Sequence, residues 1–169
     1  MQILIMRHGQ ADATANSDAE RPLTEHGVKE AAMMGKWMAS KDIAPSQIWV
    51  SPYLRAQQTY QSLSECLSLS NEQLSELTTT QSMITPSGSA SQVRDLIDGH
   101  LAEHADSPAQ IETLLIVSHM PLVSYLVSEL TQHEFAPIFQ TAGIAEIDYD
   151  ATHMMGHLNG VISPADLTS

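Results

Sequence analysis

Short apolar runs alternate along the chain with longer stretches in which hydrophobic positions recur every three or four residues. Gln2 to Met6 is a brief, nearly continuous apolar run closed by Arg7-His8-Gly9, the pattern of a strand buried inside a parallel sheet. Residues 11 to 22, rich in Ala, Asp, Asn and Ser and ending in Arg21-Pro22, read as a loop. Thr24 then caps a helix that runs through Ala31, Ala32, Met33 and Met34 to about Ser40. Ile48-Trp49-Val50 predicts a second strand stopped by Ser51-Pro52, and Tyr53 to about Leu67 restores helical spacing at Leu54, Leu63 and Leu67. Residues 68 to 90 carry Ser, Thr, Asn, Gln and a Pro-Ser-Gly turn, which predicts loop with one short strand near Leu74 to Leu77. Val93, Leu96, Ile97 and Leu101 mark another helix, Ile111 to Val117 is the most strand-like segment, and Pro121 opens a helix ending near Gln132. Gly143 to Tyr149 alternates apolar and polar, as does His157 to Ile162 more weakly, with Asp150-Ala-Thr-His as the turn of a hairpin.

Strands alternating with helices predict an α/β fold: a mostly parallel central sheet flanked by helices, with an antiparallel edge near the C-terminus. No repeat or composition break divides the 169 residues, so residues 1–169 read as a single domain. In such folds ligands bind beyond the carboxyl ends of the strands. Three strand ends deliver Arg7, His8, Arg55 and His119 to one edge of the sheet.

Composition narrows the partners. With 7 Lys+Arg against 20 Asp+Glu the formal charge is -13, which opposes binding to nucleic acid or an anionic membrane. No apolar run approaches the length of about 20 residues that a membrane span needs. The first residues lack the cationic region of a signal peptide, and the sole cysteine, Cys66, fits a reducing compartment, so a soluble cytoplasmic protein is expected, as a monomer. Scarcity makes the cations informative: the arginines are Arg7, Arg21, Arg55 and Arg94.

Arg7 and Arg55 are at strand ends, and Arg21 is in the loop leaving the first. A guanidinium fork matches phosphate oxygens bidentately and stays charged at any working pH, so these three read as a phosphate pocket. Arg55, in the first turn of its helix, adds the local dipole and free N–H groups. The competing assignment is pairing with surface carboxylates. Of the eight histidines, His8 and His119 follow strands, while His26, His100, His104, His133 and His153 fall on helix faces, ends or loops and are expected to be solvated. A neutral imidazole attacks phosphorus when cations neutralise the equatorial oxygens; His8, with Arg7 beside it, fits that role, and His119 fits as a donor to the transferring group.

Other phosphate machinery is missing: the chain has no Gly-x-x-x-x-Gly-Lys loop, and Glu72 stands where a cysteine-dependent phosphatase would need arginine after Cys66. The pairs His100/His104 and His153/His157 have helical metal-ligand spacing but no evident third ligand, so no metal or other cofactor is expected. Met33, Met34 and Met38 read as core.

Leu4-Ile5-Met6-Arg7-His8-Gly9 resembles the Arg-His-Gly signature of the histidine phosphatase superfamily. Arg21-Pro22-Leu23-Thr24 with Gly27, Ser51-Pro52-Tyr53-Leu54-Arg55-Ala56-x-x-Thr59 and Val117-Ser118-His119-x-Pro121-Leu122-Val123 occur in the family's order. The resemblance implies a phosphoglycerate-mutase-like fold, His8 as a transiently phosphorylated nucleophile, Arg7, Arg21 and Arg55 as phosphate clamps and His119 as the second phosphate-contacting histidine. The short length resembles the family's phosphohistidine phosphatases, which implies a phosphohistidine-bearing protein as partner, such as a member of a phosphorelay. Larger relatives carry a Glu or Asp general acid between the second helix and the next. Here Gln81 to Gly88 has no carboxylate, and Glu76 lies upstream. A phosphoramidate leaving nitrogen needs less protonation than an alkoxide, which favours phosphohistidine over sugar phosphates. The alternatives are a small-molecule phosphomonoesterase of the same superfamily and a non-catalytic module that binds phosphoproteins through the same arginines.

Overall fold

The structure, a computed structural model, describes residues 1–108 and 110–168. Strand β1 (Gln2–Arg7) leads through a 3-10 turn (Asp18–Glu20) to helix α1 (Glu25–Ser40), and β2 (Gln47–Val50) leads to α2 (Leu54–Ser64) and α3 (Asn71–Leu77). Then follow β3 (Thr78–Thr80), α4 (Ala90–Glu103), β4 (Thr113–Ser118), α5 (Leu122–Leu130), β5 (Ile144–Asp150), β6 (Met155–Ile162) and the short α6 (Pro164–Leu167). The strands form one sheet in the order β3-β2-β4-β1-β5-β6. The first four are parallel, and β5 and β6 are the antiparallel edge. None of the described helices is long and apolar enough to cross a membrane.

The unbroken apolar runs of β1 and β4 are explained by burial on both sides. Ile3 and Ile5 pack with Leu114 and Ile116 against Val93 and Ile97 of α4 and Val123 and Val127 of α5. Leu4 and Met6 point the other way, with Leu115 and Val117, onto Met34 and Met38 of α1 and Leu63 of α2. Each fully buried aliphatic side chain of this kind contributes roughly 1.5–3 kcal/mol. Met33, by contrast with Met34 and Met38, is half-buried at the margin of α1.

The expected strand at Leu74–Leu77 is instead the last part of α3. Ser70 and Gln73 form a capping box that starts the helix there, and the strand falls on Thr78–Thr80. This β3 pairs only with β2, so its outer positions carry polar β-branched residues and no apolar alternation. Helix α2 stops at Ser64, short of Leu67, and Pro121 is the N-cap of α5 rather than its first residue.

Topology decides where the strand ends meet. Because β4 returns between β1 and β2, Arg7 aligns with Ser118, and the Ser51 amide donates to Val117 O at 3.1 Å. Gly9 makes this edge compact. A side-chain carbon at Gly9 would fall 2.5 Å from Gly27 O, and one at Gly27 would fall 2.1 Å from Gln10 O, so both positions exclude larger residues. Thr24 Oγ1 accepts from the Gly27 amide at 3.0 Å, which fixes the start of α1 against the same turn.

Candidate active site

The carboxyl edge of β1, β2 and β4 brings together every residue expected to form the pocket. His8 and His119 lie with ring centroids 5.1 Å apart, and His8, Arg55 and His119 are all nearly enclosed. Arg55 Nε donates to His8 Nε2 at 3.2 Å. That nitrogen therefore carries the lone pair and Nδ1 the proton, which Nδ1 donates to Gly9 O at 2.7 Å. Burial is the main cause that pushes His8 down to about 4; the Gly9 carbonyl opposes the shift, and Arg55, Arg7 and Arg21 add to it. Burial, then His8 and Arg55, push His119 down to about 3. Both imidazoles are neutral near pH 7.

Each cation is fixed by a different element. Arg7 closes β1 and donates to Phe139 O at 2.8 Å, in the segment leading into β5. Arg55, on the first turn of α2, faces Tyr53 with its guanidinium carbon 5.1 Å from the ring centroid. Arg21 is held by Asp12 O at 2.7 Å and by Asp18 Oδ1 at 2.9 Å. Arg94 lies elsewhere, on α4, 3.4 Å from Glu129.

Four buried side-chain polar atoms among the described residues lack a hydrogen-bond partner, and two of them, Arg7 Nε and His119 Nδ1, belong to this site. An unsatisfied buried donor costs about 1–3 kcal/mol, so the two at this pocket are atoms that an acceptor entering it would satisfy. His119 Nε2 meets Ser51 Oγ at 2.7 Å. With the hydroxyl donating there, the His119 proton sits on Nδ1, the unpartnered atom.

Some of the site carries no mark in the sequence. Asp18 is the main case: one carboxylate oxygen pairs with Arg21 at 2.9 Å and the other with Arg55 at 3.2 Å, while its carbonyl accepts from Arg55 at 2.6 Å. An internal anion thus spans two guanidiniums. Hydrogen bonding to Arg21, and then to Arg55, holds the Asp18 carboxyl below the usual range. In the sequence Asp18 is one of several loop acids, with no spacing that sets it apart. Ser51 and Thr59 are legible only as parts of the family motifs; Thr59 Oγ1 accepts from the Gly9 amide at 3.0 Å and donates to Arg55 O at 2.7 Å. Glu30 ties the Gln10 amide, at 2.9 Å, to Thr141, at 2.7 Å.

Glu76 is not near this edge. Gln47, the first residue of β2, donates to Leu77 O at 3.3 Å, which puts the end of α3 at the amino edge of the sheet. The turn that does reach the site, residues 81 to 88, is anchored there by Ser118 Oγ donating to Ile84 O at 2.8 Å and carries no carboxylate. The expectation of solvated histidines holds for the exposed His26, His133 and His153 but not for His100 and His104, which are half-buried because Trp49 and the α4 turn cover them.

A mostly parallel sheet with two facing imidazoles and a ring of arginines at its carboxyl edge is the arrangement that the resemblance to the histidine phosphatase superfamily implies. Residues 3–82 match the histidine phosphatase superfamily (branch 1). The chain is 38% identical over 169 residues to the phosphohistidine phosphatase SixA of Escherichia coli (strain K12), covering 99% of this chain and 96% of that one. It is 37% identical over 155 residues to the phosphohistidine phosphatase SixA homolog of Haemophilus influenzae, covering 89% of each. The solved structure of the protein histidine phosphatase SixA complexed with tungstate superposes with a TM-score of 0.88 at 34% identity, covering 99% of this chain and all of that one. The chain belongs to the histidine phosphatase superfamily, and its mostly parallel sheet with the antiparallel β5–β6 pair is the phosphoglycerate-mutase-like fold of that family.

Proposed function

We propose that this chain is a metal-independent phosphohistidine phosphatase that acts on a phosphohistidine-bearing protein in the cytoplasm. The observation that carries the reading is the pairing of His8 with Arg55: a neutral imidazole with its lone pair on Nε2, inside a ring of guanidiniums. In the first step His8 Nε2 forms a bond to phosphorus as the P–N bond of the substrate breaks. The substrate imidazole keeps that electron pair and takes a proton from water. Arg7, Arg21 and Arg55 hold the three equatorial oxygens, and His119 Nδ1–H donates to one of them. In the second step water attacks the phosphorus of phosphorylated His8, the P–N bond breaks with its electron pair returning to Nε2, and the proton lost by that water neutralises the hydroxide left by the first step, which releases inorganic phosphate and restores the imidazole.

Substrate class follows from leaving-group chemistry. Asp18, the carboxylate that touches the pocket arginines, is held ionised by two of them and is a poor proton donor. General acid catalysis contributes about 10²–10⁴-fold where a leaving group needs it. An alkoxide needs that proton, and an imidazole of a phosphoramidate needs it far less. The identities to two phosphohistidine phosphatases support the same choice. The test compares kcat/KM for a phosphohistidine protein, an aryl phosphate and an alkyl phosphate, expected to fall in that order. An alkyl ester as the best substrate overturns the reading in favour of a small-molecule phosphatase.

A further inference from the structure

A second cluster of ligand-type side chains occupies the end of α4. His100, Glu103 and His104 share one face of that helix, since positions three and four apart lie one above the other. One ligating atom of each lies within 4.8 Å of the other two. In the sequence the two histidines lack an evident third ligand; in the structure Glu103, between them, supplies it.

The imidazoles are prepared for this. His104 Nδ1 meets His100 O at 2.8 Å, and donation there leaves the lone pair on Nε2, the backbone-oriented tautomer typical of a metal-bound histidine. His100 Nε2 is buried and has no hydrogen-bond partner, so no protein group competes for that nitrogen. The His100 ring stands edge-on to Trp49 at 5.5 Å and lies 4.5 Å from the His104 ring. The helix carrying them is tied to α5 by Arg94 and Glu129 at 3.4 Å and to β5 by the Tyr149 hydroxyl, which donates to Asp98.

We infer that His100, Glu103 and His104 form a Zn²⁺-binding site at the C-terminal end of α4, separate from the phosphate pocket. Two imidazoles and a carboxylate are a zinc donor set, and water completes the tetrahedron at the exposed Glu103 side. Bonds of about 2.1 Å put tetrahedral ligands about 3.4 Å apart, so the three atoms, within 4.8 Å of one another, draw together by side-chain rotation when the ion binds. The distance from the reaction is set by topology. His104 shares a cleft of about 290 Å³ with Met1 and Ile111, where β1 and β4 begin, whereas Arg7 and Ser118 end those strands. The formal charge of -13 raises the local concentration of divalent cations.

The experiment uses the full chain stripped with EDTA and then titrated with Zn²⁺. Calorimetry should show saturable uptake of one ion per chain, and Tm should rise by about 5–10 °C when free zinc is about 100 times Kd. Co²⁺ in place of Zn²⁺ should give the visible absorption of a tetrahedral site. H104Q should abolish uptake and E103Q should weaken it, while both keep the wild-type Tm in EDTA. Those two variants decide the matter even if H100Q disturbs the packing on Trp49. Absence of one-to-one uptake, or equal uptake by H104Q with His8 and His119 left as the binding groups, overturns the site.

Discussion

Arg55 Nε donates to His8 Nε2 at 3.2 Å, so the nitrogen proposed to attack phosphorus is capped by the guanidinium proposed to receive the phosphoryl oxygens. One contact serves two ends. It holds the lone pair on the outward nitrogen, and it keeps a permanent cation against the ring, which helps hold the imidazole neutral. In the proposed reaction, Arg55 exchanges His8 for an oxyanion of the entering phosphoryl group, and the nucleophile is uncovered by the group it attacks.

His8→Ala should abolish turnover while the protein stays folded, because the ring sits at the mouth of the strands and not among the aliphatic layers. Trapping of labelled phosphate on the chain should vanish with it. Activity near wild type in this variant would rule out a covalent intermediate on His8.

Arg55→Lys should cost roughly 2–4 kcal/mol of transition-state stabilisation, since an ammonium cannot reproduce the fork that reaches His8 and Asp18 together. Arg94→Lys is the control. It faces Asp95 and Glu129 on the surface of α4 and should leave kcat/KM unchanged. Both substitutions keep the charge, so equal losses in the two variants would overturn the assignment of Arg55 to the phosphate pocket.

Asp18→Asn should tighten inhibition by inorganic phosphate about five-fold, the effect of removing a charge worth about 1 kcal/mol at 4 Å in water. The internal carboxylate competes for Arg21 and Arg55, and its neutralisation removes the competing anion while both guanidiniums keep their bonds to the Asp12 and Asp18 carbonyls. Weaker phosphate inhibition in the variant would mean that Asp18 organises the arginines more than it competes for them.

Acid should destabilise the native state through the two imidazoles. Histidine in the unfolded chain titrates near 6.5, whereas His8 is pushed down to about 4 and His119 to about 3. Between those values the unfolded chain binds protons that the native state refuses, so stability falls as pH drops from about 6.5 and is unaffected above it. Tm measured from pH 7 to 4.5 should fall less steeply in His119→Gln than in wild type. Identical slopes would place the titration elsewhere.

EDTA should leave turnover unchanged, because the three arginines already bring the positive charge that a divalent ion would otherwise supply. Loss of activity on chelation, restored by a divalent ion, would join the α4 cluster to the reaction.

The sequence alone determined which residues the proposed chemistry rests on and on which kind of element they sit. Continuous apolar runs in β1 and β4 required a sheet covered on both faces, and alternation in β5 required a strand with one exposed side. Arg7, His8 and His119 are legible because each directly follows or closes such a run, and Arg55 because it opens a helix just past one. The α3–β3 segment escapes this kind of reading for a local reason: a Ser70–Gln73 capping box and three threonines carry no hydrophobic period, and only pairing with β2 makes the threonines a strand. Tertiary structure decided the contacts. The return of β4 between β1 and β2 sets His8 beside His119, and the fold of the loop after β1 lays Asp18 across Arg21 and Arg55. Periodicity reports the burial of each element against its neighbours, but a polar contact between residues distant in sequence depends on strand order and loop path, which leave no repeating mark on the chain.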